Sequence, residues 1–195
     1  MKNLWCVLLF LLVVSHAVAG DDWDPNEAEE LLQTKWDVIA SVLRNKDLDQ
    51  KAKASQIDKI IDPIFDFALM GKLALGRKHW PKLTLEEREK FTQLFTKRLK
   101  VSYTEKIKLY TDEKAILKPA IQKKKAVHIP MELIGKEKKV VILYKLHHRD
   151  KYWKIYDVEI QGVSILLTYR SQFDDILSHS SVGDLLSQLE ESQTR

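Results

Sequence analysis

Ser164 is the first residue to weigh for nucleophilic chemistry, because it stands in the stretch Gly-Val-Ser-Ile-Leu, Gly162 to Leu166. An esterase elbow needs a second glycine two residues after the serine, and Leu166 occupies that position, so a hydrolase is not expected. His79, His128, His147, His148 and His179 are scattered, with no His-Glu-x-x-His pair and no pair of cysteines to close a metal site. His147 and His148 are adjacent at a strand end and point to opposite faces, and these histidines read as exposed turn residues. The stretch Leu-Ala-Leu-Gly-Arg-Lys-His-Trp, Leu73 to Trp80, holds a single glycine, and no phosphate cradle of the Walker or dinucleotide type exists. Asp174 and Asp175 fit helix-surface charge or a cap. Asp157 sits within an alternating strand, where a buried hydrogen-bonding role and a functional one both remain open. The expectation is a protein without catalytic residues, metal or cofactor.

The elements that must position these residues follow from periodicity. Asp24, Pro25 and Glu27 open a helix with a capping side chain, a first-turn proline and an acid three residues past the cap. Leu31, Leu32, Ile39, Val42 and Leu43 give it one apolar face. A second helix is expected over about Asp49 to Asp62, with Pro63 resetting the chain, and a short third one carries Phe65, Leu69, Met70, Leu73 and Ala74 to an end near Gly76. Thr84 and Glu87 form a capping box, and the helix they start has Phe91, Leu94, Phe95, Leu99, Tyr103, Ile107 and Tyr110 along one stripe.

From about Ala115 the period changes to two. Val127, Ile129, Met131 and Leu133 alternate with polar residues, Gly135 turns the chain, and Val140, Ile142, Tyr144 and Leu146 alternate again. Residues 152–160 complete a meander of about four antiparallel strands. Pro130 cannot donate to a ladder and suggests an edge or bulge position. After Gly162 the helical period returns with Ile165, Leu166, Tyr169, Phe173, Ile176 and Leu177, and a last short helix is expected after Asp184. The order predicts an α+β fold, with a curved antiparallel sheet of about four strands and helices packed on one face around an apolar cavity.

The ends and the composition bound the setting. Lys2 precedes an apolar run from Leu4 to Val14, and Ala17-Val18-Ala19 gives a small-x-small site, so residues 1–19 read as a secretory signal cleaved after Ala19. The run is too short for a membrane span of roughly 20 apolar residues. Cys6 is the only cysteine and leaves with the signal, so residues 20–195 read as one cysteine-free domain. The formal net charge of +4 comes from lysines interleaved with glutamates. That pattern favours acidic lipid surfaces or partners over nucleic acid.

Two segments carry a resemblance. Phe65 to Tyr103, FDFALMGKLALGRKHWPKLTLEEREKFTQLFTKRLKVSY, and Trp153 to Leu177, WKIYDVEIQGVSILLTYRSQFDDIL, resemble the signature stretches of the MlaC (toluene-tolerance) family of periplasmic phospholipid-binding proteins. The second is the more specific, through W-K-x-Y-D-V leading by G-V-S into Y-R-S-Q-F, and the likeness runs roughly from Ala28 to Leu189. The resemblance implies a monomeric carrier that shuttles phospholipid between outer and inner membranes and so maintains outer-membrane lipid asymmetry. Its partners would be an inner-membrane ABC transporter with an MCE component and an outer-membrane lipoprotein and porin complex. The competing reading is an envelope adaptor that binds no lipid.

On the carrier reading the expected lining is Phe67, Met70, Leu73, Phe95, Leu99 and Tyr103 from the central helices. Leu143, Trp153, Ile155 and Val158 would line from the sheet, and Val163, Leu167, Tyr169 and Phe173 from beyond it. Arg170 and Gln172 are candidates for a phosphate headgroup or a partner.

Overall fold

The computed structural model describes residues 23–107, 113–136 and 138–192. The expected signal segment, residues 1–19, lies outside them. Helix α1 (Pro25–Arg44) starts where Asp24 accepts a hydrogen bond from the Asn26 amide, and α2 (Gln50–Ile61) where Asp49 accepts from Ala52. Helix α3 (Phe67–His79) is capped by Asp66 and broken at Gly76, whose φ of 67° and ψ of 179° leave the helical region. A short 3-10 turn (Trp80–Lys82) leads to α4 (Leu85–Ile107). Its capping box forms as the residue types require: the Thr84 amide donates to Glu87 Oε2 at 2.8 Å, and the Glu87 amide to Thr84 Oγ1 at 3.1 Å.

Among the described residues the sheet has six antiparallel strands: β1 (Lys114–Leu117), β2 (Ile121–Lys123), β3 (Ala126–Ile134), β4 (Lys139–Arg149), β5 (Tyr152–Ile160) and the two-residue β6 (Val163–Ser164). Their order is β1-β3-β4-β5-β6, with β2 also beside β3. The short β2 and β6 are additions to the expected meander of about four strands, since three and two residues are too few to display a period. Helices α5 (Ile165–His179) and α6 (Val182–Glu191) close the chain. Helix α6 begins before Asp184 rather than after it, because Ser181 is the cap and Asp184 the reciprocal partner of a second capping box.

Pro130 is not on an edge strand. It faces Leu143 across β4, and on its other side the Lys118 amide donates to the Pro130 carbonyl at 2.8 Å. Amide and carbonyl of one antiparallel residue point the same way, so the missing N–H faces the gap where β1 has ended and β2 has not begun.

Between Tyr144 and His147 the alternation of β4 stays in phase, while β5 slips. Lys145 pairs with Asp157 and Leu146 with Ile155, leaving Tyr156 as the extra residue of a bulge. The bulge lets Trp153 and Ile155, and then Val158 and Ile160, face inward, and it sends Asp157 to the outer face.

Two apolar clusters result. One is helical: Met70, Leu75, Phe91, Phe95 and Phe173 are each at most 3% exposed and pack with Leu185 and Leu189. The other lies between α1 and the inner face of the sheet, built on Leu32, Val127, Ile129, Met131, Leu146 and Ile155. Each such side chain contributes about 1.5–3 kcal/mol on burial, enough to hold the two layers without a disulfide. The layers are tied at residues 64–66, where the Ile155 amide donates to the Ile64 carbonyl and the Asp66 amide to the Ile155 carbonyl.

Candidate functional site: an apolar cavity between helices and sheet

The two clusters do not close on one another. Between them lies a cavity of about 280 Å³. One wall comes from α1 and α2, with Leu32, Trp36, Ile39, Leu43, Ile57 and Ile61. Ile64, Phe65, Phe67 and Met70 form a second wall with Leu99 of α4, and the sheet supplies Leu133, Ile142, Tyr144, Ile155, Val158 and Ile160. Ile165 of α5 completes the lining, and Lys35 brings the one charge among the described lining residues. The phenol of Tyr144 faces this apolar space, and burial raises its pKa. Such walls exclude water and offer dispersion contacts without direction, so they suit a flexible hydrocarbon better than a polar ligand.

Of the expected lining residues, the structure places Phe67, Met70, Leu99, Ile155 and Val158 on the cavity. Leu143 is displaced to the outer face beside Pro130 and Glu159, because period two sends Ile142 and Tyr144 inward. Val163, in the edge strand β6, is 61% exposed, and Leu167 is 58% exposed because it is out of phase with the buried stripe of α5, from which Ile165 reaches the cavity instead. Tyr169 and Phe173 pack edge-on against Phe95 at centroid distances of 5.1 and 5.8 Å, and Leu73 lies beside them, so all four belong to the helical core. Trp153 is buried at the far end of the inner face between Trp23 and His148. The side chain of Tyr103 lies outside the described set. Residues of α1 and α2 were missed, although Leu32, Trp36, Ile39 and Leu43 follow helical spacing. That signal marks a buried face without saying whether protein or ligand covers it.

Arg170 is committed to the fold. Its Nε donates to the Leu73 carbonyl at 2.8 Å and Nη2 donates to the same oxygen, joining α5 to α3. Gln172 is exposed on α5, away from the cavity. Asp157 proves structural: it accepts from Ser164 Oγ at 2.8 Å, the Val158 amide at 2.9 Å, the Leu166 amide at 3.3 Å and Lys145 Nζ at 3.0 Å. Ser164 is therefore the cap of α5 and a donor to a carboxylate, not an activated nucleophile. Burial works against the charge on Lys145, but Glu159 and Asp157 overcome it and raise its pKa.

None of the five histidines expected in exposed turns lies in a turn: His128 is in β3, His147 and His148 are in β4, and His79 and His179 end α3 and α5, with His179 alone exposed. His79 is buried, with Nε2 2.7 Å from Asp174, and that contact joins α3 to α5. Asp174 is held below the usual carboxylate range by hydrogen bonds from Lys78 and His79. His147 Nε2 lies 3.1 Å from Asp66 Oδ2, which Arg149 also reaches at 3.2 Å. Neither sits where it could activate a nucleophile, and among the described residues no group of three or more His, Cys, Asp or Glu is placed to hold a metal ion.

An α+β domain whose open antiparallel sheet and helices leave an apolar cavity between two cores defines a ligand-holding scaffold. Residues 33–191 match the MlaC protein family, and the chain belongs to it. Among solved structures it is similar to the phospholipid-binding protein from Ralstonia solanacearum, determined in complex with a phospholipid. The two are 25% identical, with a TM-score of 0.76 over 86% of this chain and 97% of that one. No curated protein matches the chain.

Proposed function

We propose that this protein is a periplasmic phospholipid carrier that holds acyl tails in the cavity between α1, α2 and the sheet. The carrying observation is the cavity itself, whose described lining holds one charge, on Lys35, and the phenol of Tyr144, and is otherwise hydrocarbon, a thioether and aromatic rings. A volume of about 280 Å³ falls near the lower end of ligand pockets, about 300–1,000 Å³, and dry cavities of about 150 Å³ already accept benzene. Family membership and the phospholipid held by the similar structure support the same reading. The described lining holds no carboxylate, imidazole, thiol or serine hydroxyl, which argues for binding rather than turnover.

Sheltering a tail is worth about 0.8 kcal/mol per methylene relative to water. In a bilayer the tails are already dry, so carrier and membrane are nearly balanced and the direction of transfer comes from partners. Those proposed are an inner-membrane ABC transporter with an MCE component and an outer-membrane lipoprotein and porin complex. Export by residues 1–19, with cleavage after Ala19, would place the carrier between them. No described helix is long and apolar enough to cross a membrane.

Native mass spectrometry of the protein secreted through its own leader tests the reading. A mass exceeding the chain by one diacyl phospholipid, with Gly20 as the first residue, is the expected result. A lipid-free mass under gentle conditions, unchanged after incubation with phospholipid vesicles, would instead favour an envelope adaptor.

A further inference from the structure

Lys35 is the one charged residue among the described residues lining the cavity, and it is half-buried there. On α1 its neighbours at helical spacing are Leu31, Leu32, Val38 and Ile39, so no acid on its own helix face can pair with it. The acids nearby on α1 are turned to other tasks: Asp37 accepts from Gln33 at 2.9 Å, and Glu29 accepts from the Ala120 amide at 3.0 Å. Among the described residues Lys35 has neither a hydrogen bond nor an ion pair.

Other cations on the elements around the cavity, none of them in its lining, spend their donors on the protein. Lys53 donates to the Leu43 carbonyl at 2.7 Å, Lys100 pairs with Asp62, Lys154 donates to the Pro63 carbonyl, and Arg170 holds Leu73. Lys35 stands apart from them. A cation kept unpaired on an apolar wall gains nothing from that wall. A lysine stem can, however, lie along hydrocarbon while its ammonium turns toward water at the mouth. An anion delivered there by a ligand whose body is apolar would gain both contacts at once.

We propose that Lys35 is the anion-recognition residue of the cavity, pairing with the phosphodiester of a lipid whose tails occupy the space lined by Trp36, Ile39, Ile142 and Ile155. The inference rests on the carrier reading and adds what that reading lacks, a reason to prefer phospholipid over an uncharged lipid of the same chains. Every glycerophospholipid carries the phosphate, so the preference falls on the class and not on one headgroup alcohol. The ammonium is a point charge that does not demand a fixed geometry, which suits a headgroup at a solvent-facing mouth.

The test loads delipidated protein with an equimolar mixture of dioleoyl phosphatidylethanolamine and dioleoylglycerol and reads the bound ratio by native mass spectrometry. The wild type is expected to favour the phospholipid, and Lys35→Gln to lower that ratio about tenfold, the scale of one charge-assisted contact. Lys35→Arg should restore the ratio and Lys35→Glu should push it below that of Lys35→Gln. Equal ratios in wild type and Lys35→Gln, with both proteins loaded, would overturn the role of Lys35 and leave the carrier reading intact. Failure of every variant to load either lipid would overturn the carrier reading itself. Calorimetry with inorganic phosphate on the lipid-free protein separates the source of the anion. No binding is expected, and binding abolished by Lys35→Gln would reassign the residue to free phosphate.

Discussion

Ile142 and Leu143 are adjacent on β4 and differ by a whole face of the sheet. Ile142 opposes Ile160 on the cavity side, and Leu143 opposes Glu159 outside. Replacing each by Trp adds the same volume in two different places. Ile142→Trp is expected to reduce co-purified lipid several-fold by filling the cavity, with Leu143→Trp close to wild type, as read by lipid extraction and native mass spectrometry. Asp157 is anchored by several elements at once. Four donors converge on a carboxylate that is 4% exposed, and removing it leaves Ser164 Oγ and the Leu166 amide without an acceptor and Lys145 with Glu159 alone. Asp157→Ala should lower unfolding free energy by about 1–3 kcal/mol in urea titrations, while lipid preference in the surviving folded fraction stays unchanged.

The joints between elements decide how the cavity is framed. Gly76 breaks α3 at φ 67°, and an added Cβ would stand 3.3 Å from Arg170 Nε, the group that ties α5 to the Leu73 carbonyl. A left-handed residue and a tight neighbour act together there. Gly76→Ala is expected to cost about 1–2 kcal/mol, and Arg170→Lys to cost stability because a point charge cannot reproduce the paired Nε and Nη2 donors. Thermal melts of the two single variants and their double would show less than additive loss, since both act on one contact. A fully additive double would show that the Gly76 turn and the Arg170 bridge are independent.

For the molecule as a whole, pH dependence follows from where the histidines fold. Burial lowers the pKa of His147 against the opposing pull of Asp66, and burial with Lys145 lowers that of His128. The unfolded chain therefore takes up these protons first. Stability is full above the ordinary histidine value of about 6.5 and falls as pH drops through it toward the lower folded values. Urea midpoints measured from pH 7.5 down to 5 should decline, and the His128→Gln, His147→Gln double variant should flatten the decline. The opposite slope in wild type would mean that the Asp66 carboxylate outweighs burial. The carboxylate of Asp174, held low by Lys78 and His79, contributes separately, its stabilisation being lost at more acidic pH.

The sequence by itself determined the element types. Helical spacing and caps at Asp24, Asp49 and Thr84, and period two from Val127 to Ile160, are local properties of neighbouring residues, and the chain obeys them. Those same periods identify which face of each element is apolar, as for Trp36 and Ile39 on α1. They do not say what that face meets. Phe173 and Ile165 lie on one helix with similar hydrophobicity, yet Phe173 fills a protein core and Ile165 borders the cavity, because the space each enters depends on elements distant in the chain. The bulge at Tyr156, the gap opposite Pro130 and the commitment of Arg170 to Leu73 arise the same way, from pairings between residues far apart in sequence. Only tertiary packing distributes apolar faces between solid core and open cavity, since the hydrophobic effect that drives both has no direction of its own.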